Sequence, residues 1–143
     1  MRSLPIFSAI LLIAVILFAP SCQRQSPKVT EGDRLYALAD SAFEAGDADS
    51  ACQLLKSALA SYQNKGEEKG MATTWLALAQ VLTDKMQIDT AISYIQQALQ
   101  LNVDDSLHAA LLSEMGSIHV IKGDLHEGVK YIRRAVLEGG EAF

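Results

Sequence analysis

GDADSACQLLKSAL (46–59), MQIDTAISYIQQAL (86–99) and GDLHEGVKYIRRAV (123–136) share one pattern. In register, the sixth residue is small (Ala51, Ala91, Gly128) and the tenth is aliphatic (Leu55, Ile95, Ile132). Each stretch then closes on alanine followed by an aliphatic residue: Ala58-Leu59, Ala98-Leu99 and Ala135-Val136. The stretches begin at 46, 86 and 123, a period of roughly 37–40 residues. Recurrence at that period marks a stacked-repeat architecture, in which each unit buries its apolar face against the next. Such a chain is built for binding rather than catalysis.

Apolar residues recur at helical spacing on both sides of these stretches, and the pattern predicts six helices in three pairs. The first, about 33–45, carries Leu35, Leu38, Ala39, Ala42 and Phe43 on one side. Gly46-Asp47 ends it, glycine suiting a left-handed C-terminal cap and aspartate the next N-cap. The second, about 48–63, buries Ala51, Leu54, Leu55, Ala58, Leu59 and Tyr62, and Asn64-Lys65-Gly66 closes it. The third and fourth, about 68–84 and 88–101, are built on Trp75, Leu78, Ala79, Leu82 and on Ile88, Ala91, Ile92, Ile95, Ala98, Leu99. The fifth and sixth, about 106–121 and 125–138, are separated by Gly123-Asp124. The expected architecture is an all-α solenoid of six antiparallel helices. Its units are about 33–64, 68–103 and 106–138, followed by a short tail at 139–143.

Spacing and residue sizes together resemble the tetratricopeptide repeat, a helix–turn–helix unit of about 34 residues. That pattern wants a large residue at place 4, Leu at 7, a small residue at 8 and Tyr at 11. It then wants small residues at 20 and 27 and a large apolar one at 24. The second unit supplies Trp75, Leu78, Ala79, Leu82, Ala91, Ile95 and Ala98. The first supplies Leu35, Leu38, Ala39, Ala42, Ala51, Leu55 and Ala58; the third Leu112, Met115, Gly116, His119, Gly128, Ile132 and Ala135. Small residues let two helix axes approach and large ones fill the space between neighbours. The proline usual near place 32 is absent, with Gln63, Val103 and Gly140 there instead.

The resemblance implies a concave groove lined by the first helix of each pair. In this chain that groove takes Tyr36, Asp40 and Phe43, then Thr73, Leu76, Gln80 and Thr83, then Ser113, Ser117 and Val120. The Lys/Asn clamp by which some relatives grip a terminal carboxylate has no counterpart here. The expected ligand is a protein or peptide held by a mixed polar and apolar groove. Stacked repeats also need a polar-faced terminal unit. Leu125, Val129, Ile132, Val136 and Leu137 are expected to form an open association face on the last helix. That face would serve a partner, a second copy of the chain, or the continuation of a longer protein.

The N-terminus reads differently. Arg2 precedes an apolar run from Ile6 to Ala19, followed by Pro20-Ser21-Cys22 and a polar stretch. These are the parts of a secretory signal, expected over 1–21, and the run is shorter than the ~20 residues of a membrane span. Ala19-Pro20-Ser21-Cys22 resembles a bacterial lipobox, with Ala19 and Pro20 departing from its usual Leu and Ala/Ser. The resemblance implies lipidation at Cys22, a flexible tether over 22–32 and attachment to a membrane of the bacterial cell envelope, facing the periplasm. Gln23 favours the outer membrane, since it is not the Asp that retains some such lipoproteins in the inner one. A plain signal peptide and an uncleaved anchor are the alternatives. The remaining cysteine, Cys52, is expected in the core as a small hydrophobe, with a Cys22–Cys52 disulfide the other possibility.

The formal net charge is −5 and no basic cluster is longer than Arg133-Arg134. Nucleic acid needs a stripe of cations, so it is not an expected partner. No HExxH, glycine-rich phosphate loop or nucleophile elbow is present, and neither a cofactor nor a metal is expected. His119 and His126 flank the turn at Gly123-Asp124, and His119 occupies a packing place. Two functions follow: a lipid-anchored envelope scaffold that binds protein, or the N-terminal sensory region of a longer membrane-associated regulator.

Overall fold

A computed structural model describes residues 28–140, so the predicted signal segment, Cys22, most of the tether and the last three residues lie outside the described part. Six helices follow one another: α1 Glu31–Glu44, α2 Ala48–Lys65, α3 Glu68–Asp84, α4 Ile88–Ala98, α5 Asp105–Lys122 and α6 Leu125–Gly139. The chain is an all-α solenoid of three helix pairs, α1/α2, α3/α4 and α5/α6. Each pair packs on the next through α2 against α3 and α4 against α5. The first helices also touch, α1 to α3 and α3 to α5, whereas the second helices make no comparable contact among themselves. The stack therefore curves with α1, α3 and α5 on its inner side. None of the helices among the described residues is long and apolar enough to cross a membrane.

Helix starts and stops have local causes. α1 begins at Glu31, two residues earlier than periodicity predicts, because Thr30 and Asp33 form a reciprocal capping box. The Thr30 amide donates to Asp33 Oδ2 at 2.7 Å and the Asp33 amide to Thr30 Oγ1 at 3.2 Å. Asp47, Asp104 and Asp124 accept amide hydrogens in the first turns of α2, α5 and α6. Four turns close with the same pair of hydrogen bonds, donated by Gly46 and Asp47, Gly66 and Glu67, Met86 and Gln87, and Gly123 and Asp124. The pivot of each is left-handed: Gly46 at φ 82°, Gly66 at 67°, Gly123 at 91° and, without glycine, Met86 at 58°.

The core runs through the middle of the stack. Leu55, Trp75, Leu78, Val81, Leu82, Ile95, Leu111, Met115 and Ile118 are buried, around Ala39, Ala51, Ala79 and Ala91. Cys52 is buried among them. Gly116 and Gly128 bring α5 and α6 close together: a β-carbon at Gly116 would stand 2.9 Å from the Gly128 carbonyl oxygen.

Leu38 departs from expectation. Periodicity puts it on the apolar side of the first helix, yet it is 54% exposed, while its counterparts Leu78 and Met115 are fully buried. Those two lie under the helix that precedes them, and no helix precedes α1 among the described residues. The polar residues Arg34 and Ser41, also exposed, flank Leu38 where Thr74 and Val81 are buried on α3.

Candidate functional site

The inner layer of first helices carries the candidate binding groove. Between α1 and α3, Tyr36, Asp40, Phe43 and Gln80 line one depression, floored by Ala39, Leu55, Ala77 and Val81. Toward the α2–α3 turn it meets a wider hollow of Asp33, Tyr36, Tyr62, Glu67, Lys69 and Thr73. Tyr36, Phe43, Thr73 and Leu76 are half-buried, so each offers part of an apolar or hydroxyl surface. Burial and the neighbouring Asp40 push the Tyr36 phenol above its usual value, so it stays a neutral hydrogen-bonding group.

Ser113 and Ser117 lie exposed on α5, the Ser117 hydroxyl donating to the Ser113 carbonyl. Val120 is 40% exposed and also packs over Gly128, where a β-carbon would come within 2.6 Å of its methyl. Thr83 is a correction. It is buried and its hydroxyl proton goes to the Ala79 carbonyl at 2.8 Å, so it offers the groove little surface and no donor.

Two features of the site escape a residue-type reading. Glu114 is half-buried where α1 and α3 have Ala37 and Ala77. Burial raises its pKa, the Asp84 carboxylate adds to that, and the Gln80 amide partly offsets it. The exchange of alanine for glutamate in register was the available signal. The second feature is Tyr62, whose ring lies between Gly32 and Gly70. β-Carbons at those two positions would fall 2.7 and 2.4 Å from the ring. Its hydroxyl donates to Asp33 Oδ1 at 2.8 Å. The Asp33 carboxyl is held below the usual range, first by the Thr30 amide and then by this phenol. This bond ties α2 to the first turn of α1 at the wall of the hollow.

Charge is unevenly distributed. Asp33, Asp40, Asp84 and Glu114 belong to the inner helices, and the cation that lines the adjoining hollow, Lys69, pairs with Asp104 at 2.8 Å. The lysines that end α3 and α5 face away from the groove, into the joints: Lys85 pairs with Asp49, and Lys122 Nζ lies 2.7 Å from Asp89 Oδ1. The histidines do not form a metal cluster: among the described residues no group of three or more His, Cys, Asp or Glu could hold an ion. His119 instead stacks on Tyr131 with ring centroids 5.5 Å apart.

The five residues expected on the association face all lie open on α6. Leu125, Val129, Val136 and Leu137 are 62–68% exposed and Ile132 is 39% exposed. Leu125, Val129 and Leu137 share a shallow groove with His126, Lys130, Arg133 and Arg134.

No curated protein matches the chain. Among solved structures, the crystal structure of BtubC (BKLC) from P. vanneervenii is similar, with 18% sequence identity and a TM-score of 0.71. The alignment covers 94% of this chain and 56% of that one, so the chain spans little more than half of its length. Residues 72–105, the α3/α4 pair with the most faithful pattern, match the family model of the tetratricopeptide repeat.

Proposed function

We propose that this chain is a non-catalytic scaffold that binds a segment of another protein in its concave groove. Repeats of the kind matched at 72–105 generally mediate protein–protein interaction. The observation that carries the reading is the composition of the inner layer. Half-buried Tyr36, Phe43 and Leu76 give apolar contact at low entropic cost, and the same layer carries Asp40 beside Tyr36 and Phe43, with Asp84 and Glu114 farther along. A segment that alternates apolar and basic residues complements that surface.

The scaffold would be held at a membrane of the bacterial cell envelope by lipid on Cys22, facing the periplasm, with the outer membrane favoured by Gln23. This part rests on Ala19-Pro20-Ser21-Cys22 and the apolar run before it. Crosslinking of the tagged protein in membranes, followed by capture and mass spectrometry, should return a discrete partner. Asp40→Lys combined with Asp84→Lys should abolish that capture while leaving the helical circular dichroism unchanged. Capture that survives both reversals would sink the groove reading. Metabolic labelling with a fatty acid tests the anchor, and an unlabelled wild type would remove it.

A further inference from the structure

The second helices α2 and α4 each carry an apolar row that the next helix covers. On α2 the row is Ala48, Cys52, Leu55 and Leu59; on α4 it is Ile88, Ile92, Ile95 and Leu99, and none of the eight is exposed. The same register positions on α6 are Leu125, Val129, Ile132 and Val136, and all four are exposed. The covering helices bring Thr74, Leu78 and Val81 in one joint and Leu111, Met115 and Ile118 in the other, all buried. The α6 face therefore has the form of a joint that receives an α-helix with apolar residues at i, i+4 and i+7.

Its charge is shifted toward positive relative to the inner joints. There the receiving helix supplies an aspartate in its first turn, Asp49 or Asp89, and the incoming helix ends on a lysine. On α6 that aspartate is replaced by His126. Lys130 stands where α2 and α4 have Gln53 and Ser93, Arg134 where they have Ser57 and Gln97, and Arg133 where they have Lys56 and Gln96; Lys130 and Arg134 also pair with Glu127 and Glu138 on the exposed surface of α6. Arg133 has no acidic partner among the described residues. A second copy of the chain fits poorly. Its α1 would present Arg34 and Ser41 to the apolar row, and α6 packed on α6 would set Lys130 and Arg133 against their own kind.

We propose that the α6 face docks an amphipathic helix of a partner protein, one whose apolar stripe is flanked by acidic residues and which ends on an acid where α3 and α5 end on lysine. The apolar row supplies the contact area, and His126, Lys130 and Arg133 select for negative charge.

Two fluorescein-labelled peptides test this on the purified full-length chain by anisotropy. One has the sequence of residues 68–85, and the other carries Lys85→Glu within it. The Glu peptide should bind more tightly, by about fivefold, the ratio that about 1 kcal/mol of charge complementarity gives. Val129→Asp should abolish its binding with unchanged circular dichroism, because Val129 is already exposed in the fold. The paired variant Lys130→Glu and Arg133→Glu should reverse the preference between the peptides. Equal binding of the two peptides, binding that survives Val129→Asp, or no binding of either overturns the proposal. Sedimentation equilibrium showing a wild-type dimer that Val129→Asp dissociates would assign the face to a second copy and overturn it as well.

Discussion

Met86 and Gln87 stand where the other two pairs have Gly46-Asp47 and Gly123-Asp124. Met86 takes the left-handed conformation at φ 58° and projects 70% exposed, so it bears backbone strain without repaying it in packing. Gln87 makes no capping bond from its side chain. Met86→Gly should stabilise the fold by about 0.5–1 kcal/mol, the left-handed penalty less the extra freedom glycine has when unfolded. Gln87→Asp should add about 1 kcal/mol by capping α4; thermal unfolding of the single and double variants measures both. Glu114 gives a pH signature. Its pKa is raised in the fold, so stability is highest below the ordinary value of 4.5 and is lost as pH rises through the folded value. Glu114→Gln does not titrate. The variant should therefore become more stable than the wild type as pH climbs above that range, with the difference vanishing in acid. Denaturant midpoints across a pH series would show it, and a pH-independent difference would refute it.

Joints between helices depend on where side chains are missing. Gly70 lies in the first turn of α3, where alanine normally improves a helix. Here a β-carbon would meet the Tyr62 ring at 2.4 Å. Gly70→Ala should thus destabilise by about 1–3 kcal/mol through overpacking, opposite in sign to the propensity effect, as chemical denaturation would reveal. Equivalent residues on different helices should also differ. Ile95 is fully buried under α5, and Ile95→Ala should cost about 2–5 kcal/mol. Ile132, its counterpart on α6, is 39% exposed and should cost clearly less.

A stack of pairs touching only their neighbours is close to one-dimensional, so its stability is a sum of units and joints. α3 and α4 are covered from both sides, whereas α1 and α6 each lack a neighbour on one side among the described residues. Amide exchange should accordingly be fastest in α1 and α6 and slowest in α3 and α4. Mass spectrometry of exchanged peptides tests the order, and uniform protection across the six helices would contradict it.

Much of the helical plan is written locally. Small residues such as Ala51 and Ala91, aliphatic ones such as Ile95, and the Gly-Asp breaks at 46–47 and 123–124 place six helices in three pairs, because a repeat period and helical spacing need no knowledge of distant contacts. The groove was less readable. Register places Tyr36, Phe43 and Gln80 on inner helices, but Thr83 is buried, and Glu114 acquires its character only from burial beside Asp84. Leu38 and Leu78 hold the same place in the repeat, yet one is exposed and the other buried; Arg34 and Ser41 beside Leu38 hint at this, and the absence of a helix before α1 among the described residues decides it. Val129 and Ile92 differ in the same way at the other end. The amino-acid pattern alone determined which faces are apolar. Tertiary structure decided which of them are covered, because covering depends on a neighbouring helix that no local pattern contains.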